Sequence, residues 1–158
     1  MSETRFESRT DYRLAIDQII ASANTQICIF DPDLLTPDFN DKARAESLAE
    51  FLSSGTVHNL RIVLHNTQHV IQRCPRIISL LKQFSHCFSI RETPDNLKKL
   101  ADCFVLGDTT SVVVRFHTDY LRGKILMSEP EEVLGWATRF EELWAESLPA
   151  VPATQIGL

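Results

Sequence analysis

Apolar and polar positions alternate along the chain with two different rhythms. Leu14, Ala15, Ile16, Ile19 and Ile20 fall at helical spacing behind Thr10, which predicts a helix capped by that threonine and ending near Asn24. Ile27 and Ile29 alternate with Cys28 and Phe30, so Gln26 to Phe30 forms a short strand that Pro32 stops. A second helix from about Asp41 to Ser54 gathers Ala45, Leu48, Ala49, Phe51 and Leu52 on one side and closes at Gly55, a residue suited to a left-handed cap. Leu60 to His65 follows as a strand. Asn66 to Phe84 reads as one helix broken at Pro75, with Ile77, Ile78, Leu80, Leu81 and Phe84 as its packing face. Cys87 to Arg91 is a third strand, and Thr93-Pro94 opens a short helix over Leu97 and Leu100.

The second rhythm has strands with only short turns between them: Asp102 to Leu106, Ser111 to His117 and Gly123 to Met127, with Gly107-Asp108-Thr109-Thr110 as a hairpin turn. Ser128 and Glu131 form a capping-box pair ahead of a helix that carries Val133, Trp136, Phe140, Leu143 and Trp144 down one side. That stripe is at packing spacing rather than base-stacking spacing. Alternating helices and strands favour parallel pairing, because the helices must cover the sheet faces. The expected fold class is therefore α/β, with a mixed, mainly parallel sheet flanked by helices. One domain over residues 1–148 and a flexible tail over 149–158 complete the expectation.

Composition narrows the classes. At 158 residues the chain is long enough for one ordinary core, and its 44% hydrophobic and 23% charged residues are average for a globular domain. A net charge of −5 opposes a surface built wholly for nucleic acid or an anionic membrane. Cys28, Cys74, Cys87 and Cys103 are scattered, with no C-x-x-C pair, as expected of thiols in a reducing compartment. No apolar run approaches the roughly 20 residues of a membrane span, so the cytoplasm is the expected location. No cofactor motif is present.

The order of elements, closing on the aromatic helix with Arg139-Phe140-Glu141-Glu142-Leu143-Trp144, resembles one half of a phospholipase D-type domain. In that family a strand carries H-x-K-x-x-x-x-D, a later one carries G-S-x-N, and two halves face each other across one site. With Asp108 as the motif aspartate, the register puts Ala101 at the nucleophile's position and Cys103 at the lysine's. Arg115, Phe116 and Thr118 then take the glycine, serine and asparagine positions. The resemblance implies phosphodiester cleavage by an attacking histidine, with lysines clamping the phosphoryl oxygens. Alanine supplies none of this, and a buried cysteine lacks the depressed pKa a nucleophile needs. The stretches Cys74-Pro75-Arg76-Ile77, Ile90-Arg91-Glu92-Thr93-Pro94 and Arg115-Phe116-His117-Thr118-Asp119 are similar to those of a bacterial family that also occurs beside acetyltransferase domains. The chain has no glycine-rich acetyl-CoA loop of its own.

Four polar residues lie at the end of the second hairpin strand and just beyond it. At strand period two, Arg115, His117 and Asp119 share a face, with Arg122 in reach. They form either a small anion pocket, with arginine forks for a phosphate-type ligand, or an internal ion-pair network of Arg115, Asp119 and Arg122. His65 and His69 stand four apart, but Asn66 as a helix cap leaves His65 on the strand, so no metal is expected. Asp31, Asp33 and Asp38 beside prolines are turn chemistry.

Three functions stay open. The first is a non-catalytic, phospholipase D-like binding or accessory module, taking a small anion or a protein partner and pairing as a homodimer to cover an apolar sheet surface. The second is a phosphodiesterase- or phosphatase-like hydrolase using His117 with Asp119. The third is a purely structural or regulatory dimerisation domain.

Overall fold

The computed structural model describes residues 2–151. The chain runs β1 (Ser2–Phe6), α1 (Arg9–Ser22), β2 (Gln26–Asp31), α2 (Lys42–Ser53), β3 (Asn59–Leu64), α3 (Gln68–Arg73), α4 (Pro75–Gln83), β4 (Phe88–Glu92), a 3-10 turn (Asp95–Leu97), β5 (Cys103–Gly107), β6 (Ser111–Arg115), β7 (Gly123–Met127), α5 (Pro130–Glu146) and β8 (Leu148–Pro149). The eight strands form one sheet in the order β1-β7-β6-β5-β2-β3-β4-β8.

The sheet is mixed but mostly antiparallel, which corrects the mainly parallel expectation. Only β2–β3 and β3–β4 are parallel. The other five neighbouring pairs are antiparallel. Two helical crossovers join the parallel strands; the short helix expected after β4 is only a 3-10 turn, and β5 returns antiparallel on the far side of β2.

Both faces of the sheet are covered. Ile27, Ile29, Ile62, Val105 and Val113 pack under α1, α2 and α4. On the opposite face Phe30, Val63, Phe104, Val112 and Val114 pack with Val133, Phe140 and Leu143 of α5. The apolar sheet surface that was expected to call for a second copy is thus filled from within the chain. Trp136 and Phe140 lie 5.3 and 6.5 Å from the Phe104 ring, as a packing stripe should.

Several ends differ from the pattern. Ser8, not Thr10, caps α1, accepting the Asp11 N–H at 3.1 Å. Ser54 in right-handed conformation closes α2, and no glycine among the described residues has positive φ, so Gly55 is not a left-handed cap. Ser128 makes no capping box: α5 starts from Glu129 with Pro130 in its first turn. β6 ends at Arg115, two residues before His117. β1 was not anticipated, since only Phe6 of its described side chains is buried. It pairs with β7 and lays Phe6 against Gly123, where an added Cβ would fall 2.5 Å from the ring and 2.0 Å from the Val114 carbonyl oxygen. Pro149 pairs with Arg91, the Ala150 N–H donates to the Ile90 carbonyl at 3.3 Å, Val151 is buried, and residues 152–158 of the expected tail lie outside the described residues.

Candidate functional site

Apart from Asp108, which sits in the hairpin turn at the other end, the residues assigned by the motif register gather at one end of the β5–β6 ladder. Cys103 stands opposite Arg115, and the Ala101 carbonyl accepts the Thr118 N–H at 2.6 Å. Both Cys103 and Arg115 face α1. Arg115 is 2% exposed; its Nε–H donates to Cys103 Sγ at 3.2 Å, and its guanidinium carbon sits 5.1 Å from the Tyr12 ring centroid. Asp31, also buried, completes this group at the end of β2. Its Oδ2 accepts the Leu34 and Asp33 N–H groups at 2.7 and 3.2 Å, while Oδ1 has no hydrogen-bond partner.

Burial governs the electrostatics here. It pushes the Cys103 thiol up to about 12, with the nearby Asp31 carboxyl adding to the shift. Burial likewise raises the Asp31 carboxyl and the Tyr12 phenol above their ordinary values. A neutral thiol held in this way is no nucleophile at neutral pH.

The face expected to hold Arg115, His117 and Asp119 does not continue past Arg115. The alternation that would align them stops with β6 at Arg115, and the chain turns outward. His117 and Arg122 line a cleft of about 280 Å³ at the β1–β7 edge, together with Arg5, Phe116 and Tyr120. Arg115 is absent from its lining. Asp119 donates its backbone N–H to His117 Nδ1 at 3.1 Å, and its carboxylate, 79% exposed, stands 3.7 Å from the same nitrogen. That hydrogen bond makes Nδ1 an acceptor and places the ring proton on Nε2. The expected network of Arg115, Asp119 and Arg122 does not form: no ion pair joins any two of them among the described residues.

Arg5, Phe116 and Tyr120 were not singled out as site residues. Arg5 lay in a stretch without apolar periodicity, Phe116 entered only as the serine position of the motif register, and Tyr120 carried no motif. The available signal was the closeness of Tyr120 to Arg115-Phe116-His117.

Other candidates resolve into structural roles. His65 Nδ1 bonds to Thr93 Oγ1 at 2.8 Å and Nε2 to the Leu100 carbonyl at 2.9 Å; burial lowers its pKa. Asp33 Oδ1 accepts the Leu35 N–H at 2.9 Å, and Leu34 and Asp38 adopt positive φ, so the loop after β2 is a set of turns. Asp108, with φ of 55° in the hairpin, accepts N–H groups from Asn24, Thr25 and Gln26 and the Thr25 hydroxyl. Lys98 donates to the His65 carbonyl, and Arg91 lies 4.1 Å from the Trp144 ring centroid. No helix among the described residues is long and apolar enough to cross a membrane.

The fold is that of a phospholipase D-like half-domain. The archaeal chromatin protein TrmBL2, whose structure shows a novel mode of DNA binding, matches with a TM-score of 0.68 at 13% identity over 95% of this chain and 54% of that one. The chain thus spans about half the chromatin protein's length. The phospholipase D family member Nuc from Salmonella typhimurium matches with a TM-score of 0.60 at 12% identity, covering 94% of this chain and 97% of its own. NucT from Helicobacter pylori gives 0.59 at 12% identity over 94% and 99%. At these identities the likeness concerns the fold alone. No curated protein matches the sequence. The family itself is decided by a model covering residues 8–153, and the chain belongs to that family, the domain of unknown function DUF7931.

Proposed function

We propose that this chain is a non-catalytic phospholipase D-like module that binds a phosphate-type anion in the cleft beside His117. The observation that carries the reading is the placement of Arg122: exposed, lining the cleft with His117 and Arg5, and in no ion pair among the described residues. A guanidinium so placed offers parallel N–H donors to phosphate, and an imidazole Nε2–H adds another. At the position of the resembled nucleophile Ala101 presents a methyl group, and the Cys103 thiol is buried and protonated.

Calorimetric titration with inorganic phosphate tests this. Binding that is lost in Arg122→Ala, while the variant melts like the parent, is the expected result; no heat with the parent protein overturns the reading. The competing hydrolase would use His117 with Asp119 as its orienting carboxylate, although a contact of 3.7 Å from so exposed a group orients weakly. Assay of phosphodiesters and phosphomonoesters, with and without divalent metal, separates the two. We expect no turnover; turnover abolished by His117→Ala favours the hydrolase.

A homodimer is a separate proposal with its own ground. β1 is an edge strand, and an edge strand presents unpaired backbone groups to another chain. Antiparallel pairing with β1 of a second copy, centred on Thr4, sets Glu3 opposite Arg5 on both sides of the dyad. Sedimentation should find a dimer at micromolar concentration that dissociates in Arg5→Glu, where like charges would face each other twice. A monomeric parent protein removes the proposal.

A further inference from the structure

The cleft beside His117 has an aromatic wall as well as a cationic one. Phe116 and Tyr120 line it and remain 47% and 60% exposed. The Tyr120 ring lies 5.6 Å from the His117 ring, and the Arg122 guanidinium carbon lies 6.0 Å from its centroid. Inorganic phosphate would engage only the cationic side. Two rings held open beside that side, a few residues apart on one loop, match a ligand with a flat π-face of its own.

Resting on the anion site proposed above, we infer that the ligand is a phosphate monoester bearing an aromatic ring, of the kind a mononucleotide presents. Its phosphate faces Arg122 and His117, and its base stacks on Tyr120 and Phe116. Size suits a single unit: about 280 Å³ falls just under the roughly 300 to 1,000 Å³ of ligand clefts. Charge points the same way. Glu7 lines the cleft, Asp119 stands exposed beside it, and the whole chain carries −5, so a polyanionic backbone would meet repulsion on leaving the cleft.

Titrations of the whole chain with inorganic phosphate, adenosine 5′-monophosphate and duplex DNA test the inference. The nucleotide should bind roughly tenfold or more tightly than phosphate, as one stacked base allows. Tyr120→Ala should weaken the nucleotide roughly tenfold more than it weakens phosphate, and Tyr120→Phe should keep the preference. Arg122→Ala should weaken both ligands. Equal affinities that Tyr120→Ala leaves unmoved overturn the stacking subsite but leave the anion site standing. Absence of binding by both phosphate and nucleotide overturns the two together. DNA binding tighter than the nucleotide, or a dimer lost in Tyr120→Ala, also overturns the inference, by giving the rings a polymer or a second copy as their cover.

Discussion

Cys103 stands directly across the β5–β6 ladder from Arg115, and the guanidinium donates to its sulfur in a site closed to solvent. The pair occupies the two positions that the resemblance assigns to a lysine and a glycine of a phosphate site. Sulfur and guanidinium satisfy each other here, and the Tyr12 ring closes over them. What the resemblance would place in a solvent-filled cleft is, in this chain, packed interior.

The thiol should therefore be silent and should tie stability to alkaline pH. Of four cysteines, only Cys87 is partly accessible, so a disulfide reagent should titrate one thiol in the native protein and four in denaturant. Cys103 rises in the folded state from 9.0 to about 12, so above pH 9 the unfolded chain loses this proton while the native chain keeps it. The native state then binds more protons, and stability falls as pH climbs from 9 toward 12. Cys103→Ala removes that contribution. Between pH 7 and 10.5 its destabilisation relative to the parent should shrink by about 2 kcal/mol, at 1.36 kcal/mol per unit, as read by urea melts.

Asp108 ties the β5–β6 turn to the start of β2. Its Oδ1 accepts the Thr25 N–H at 2.8 Å and the Thr25 hydroxyl at 3.0 Å, with Asn24 and Gln26 within 3.2 Å. Partial burial pulls its pKa up, but the N–H groups of Thr25, Asn24 and Gln26 outweigh it and hold the carboxyl below its ordinary range. Asp108→Ala should cost about 1–2 kcal/mol, allowing for its exposure and for a non-glycine residue at positive φ. Asp108→Asn, which keeps one oxygen and tolerates that conformation, should cost less. A depressed carboxyl stabilises above its unfolded pKa and loses that contribution as pH falls through the folded one. The gap between parent and Asp108→Asn should thus narrow below about pH 4 in chemical melts.

The parallel core β2–β3–β4 was legible because β2 and β3 are short, largely apolar strands each followed by helix with one apolar face, and Phe88 and Ile90 alternate with polar residues in β4. The position of β5 was not, since a 3-10 turn over Asp95–Leu97 carries no periodicity and nothing local says on which side of β2 the chain returns. The hairpin turn and the packing role of Trp136, Phe140 and Trp144 could be read from spacing. The site was half legible. Strand alternation places Arg115 on a face correctly, but extending it to His117 assumes a strand that ends two residues earlier. Arg5 could reach the cleft only through β1, whose pairing is a long-range contact between the two ends of the chain.

Arg44 is a buried cation that no sequence pattern marked. It donates to Asp17 Oδ1 at 2.7 Å and, through Nη1, to the Pro37 and Asp38 carbonyls at 2.9 and 2.8 Å, pinning the loop after β2 between α1 and α2. Removing a donor shared by a carboxylate and two carbonyls leaves those oxygens without it. Arg44→Ala should lower stability by about 3 kcal/mol in urea melts. Arg44→Lys should recover less than half, because an ammonium cannot span three acceptors in the guanidinium plane.

Arg115 and Arg122 should separate stability from binding. Arg115 is enclosed by Cys103, Tyr12 and Asp31, so Arg115→Met should cost about 2–3 kcal/mol from its lost hydrogen bond, its contact with the Tyr12 ring and the buried carboxyl left behind. Its phosphate affinity should stay within twofold of the parent, because Arg115 does not line the cleft. Arg122 is exposed and bonds through its backbone to Phe116, so Arg122→Ala should melt within about 0.5 kcal/mol of the parent while losing phosphate binding. Melting curves and phosphate titrations on the two variants form a crossed comparison. If Arg115→Met instead abolished binding and Arg122→Ala left it intact, the anion site would belong at the β5–β6 end, beside Ala101, and not in the cleft at the β1–β7 edge.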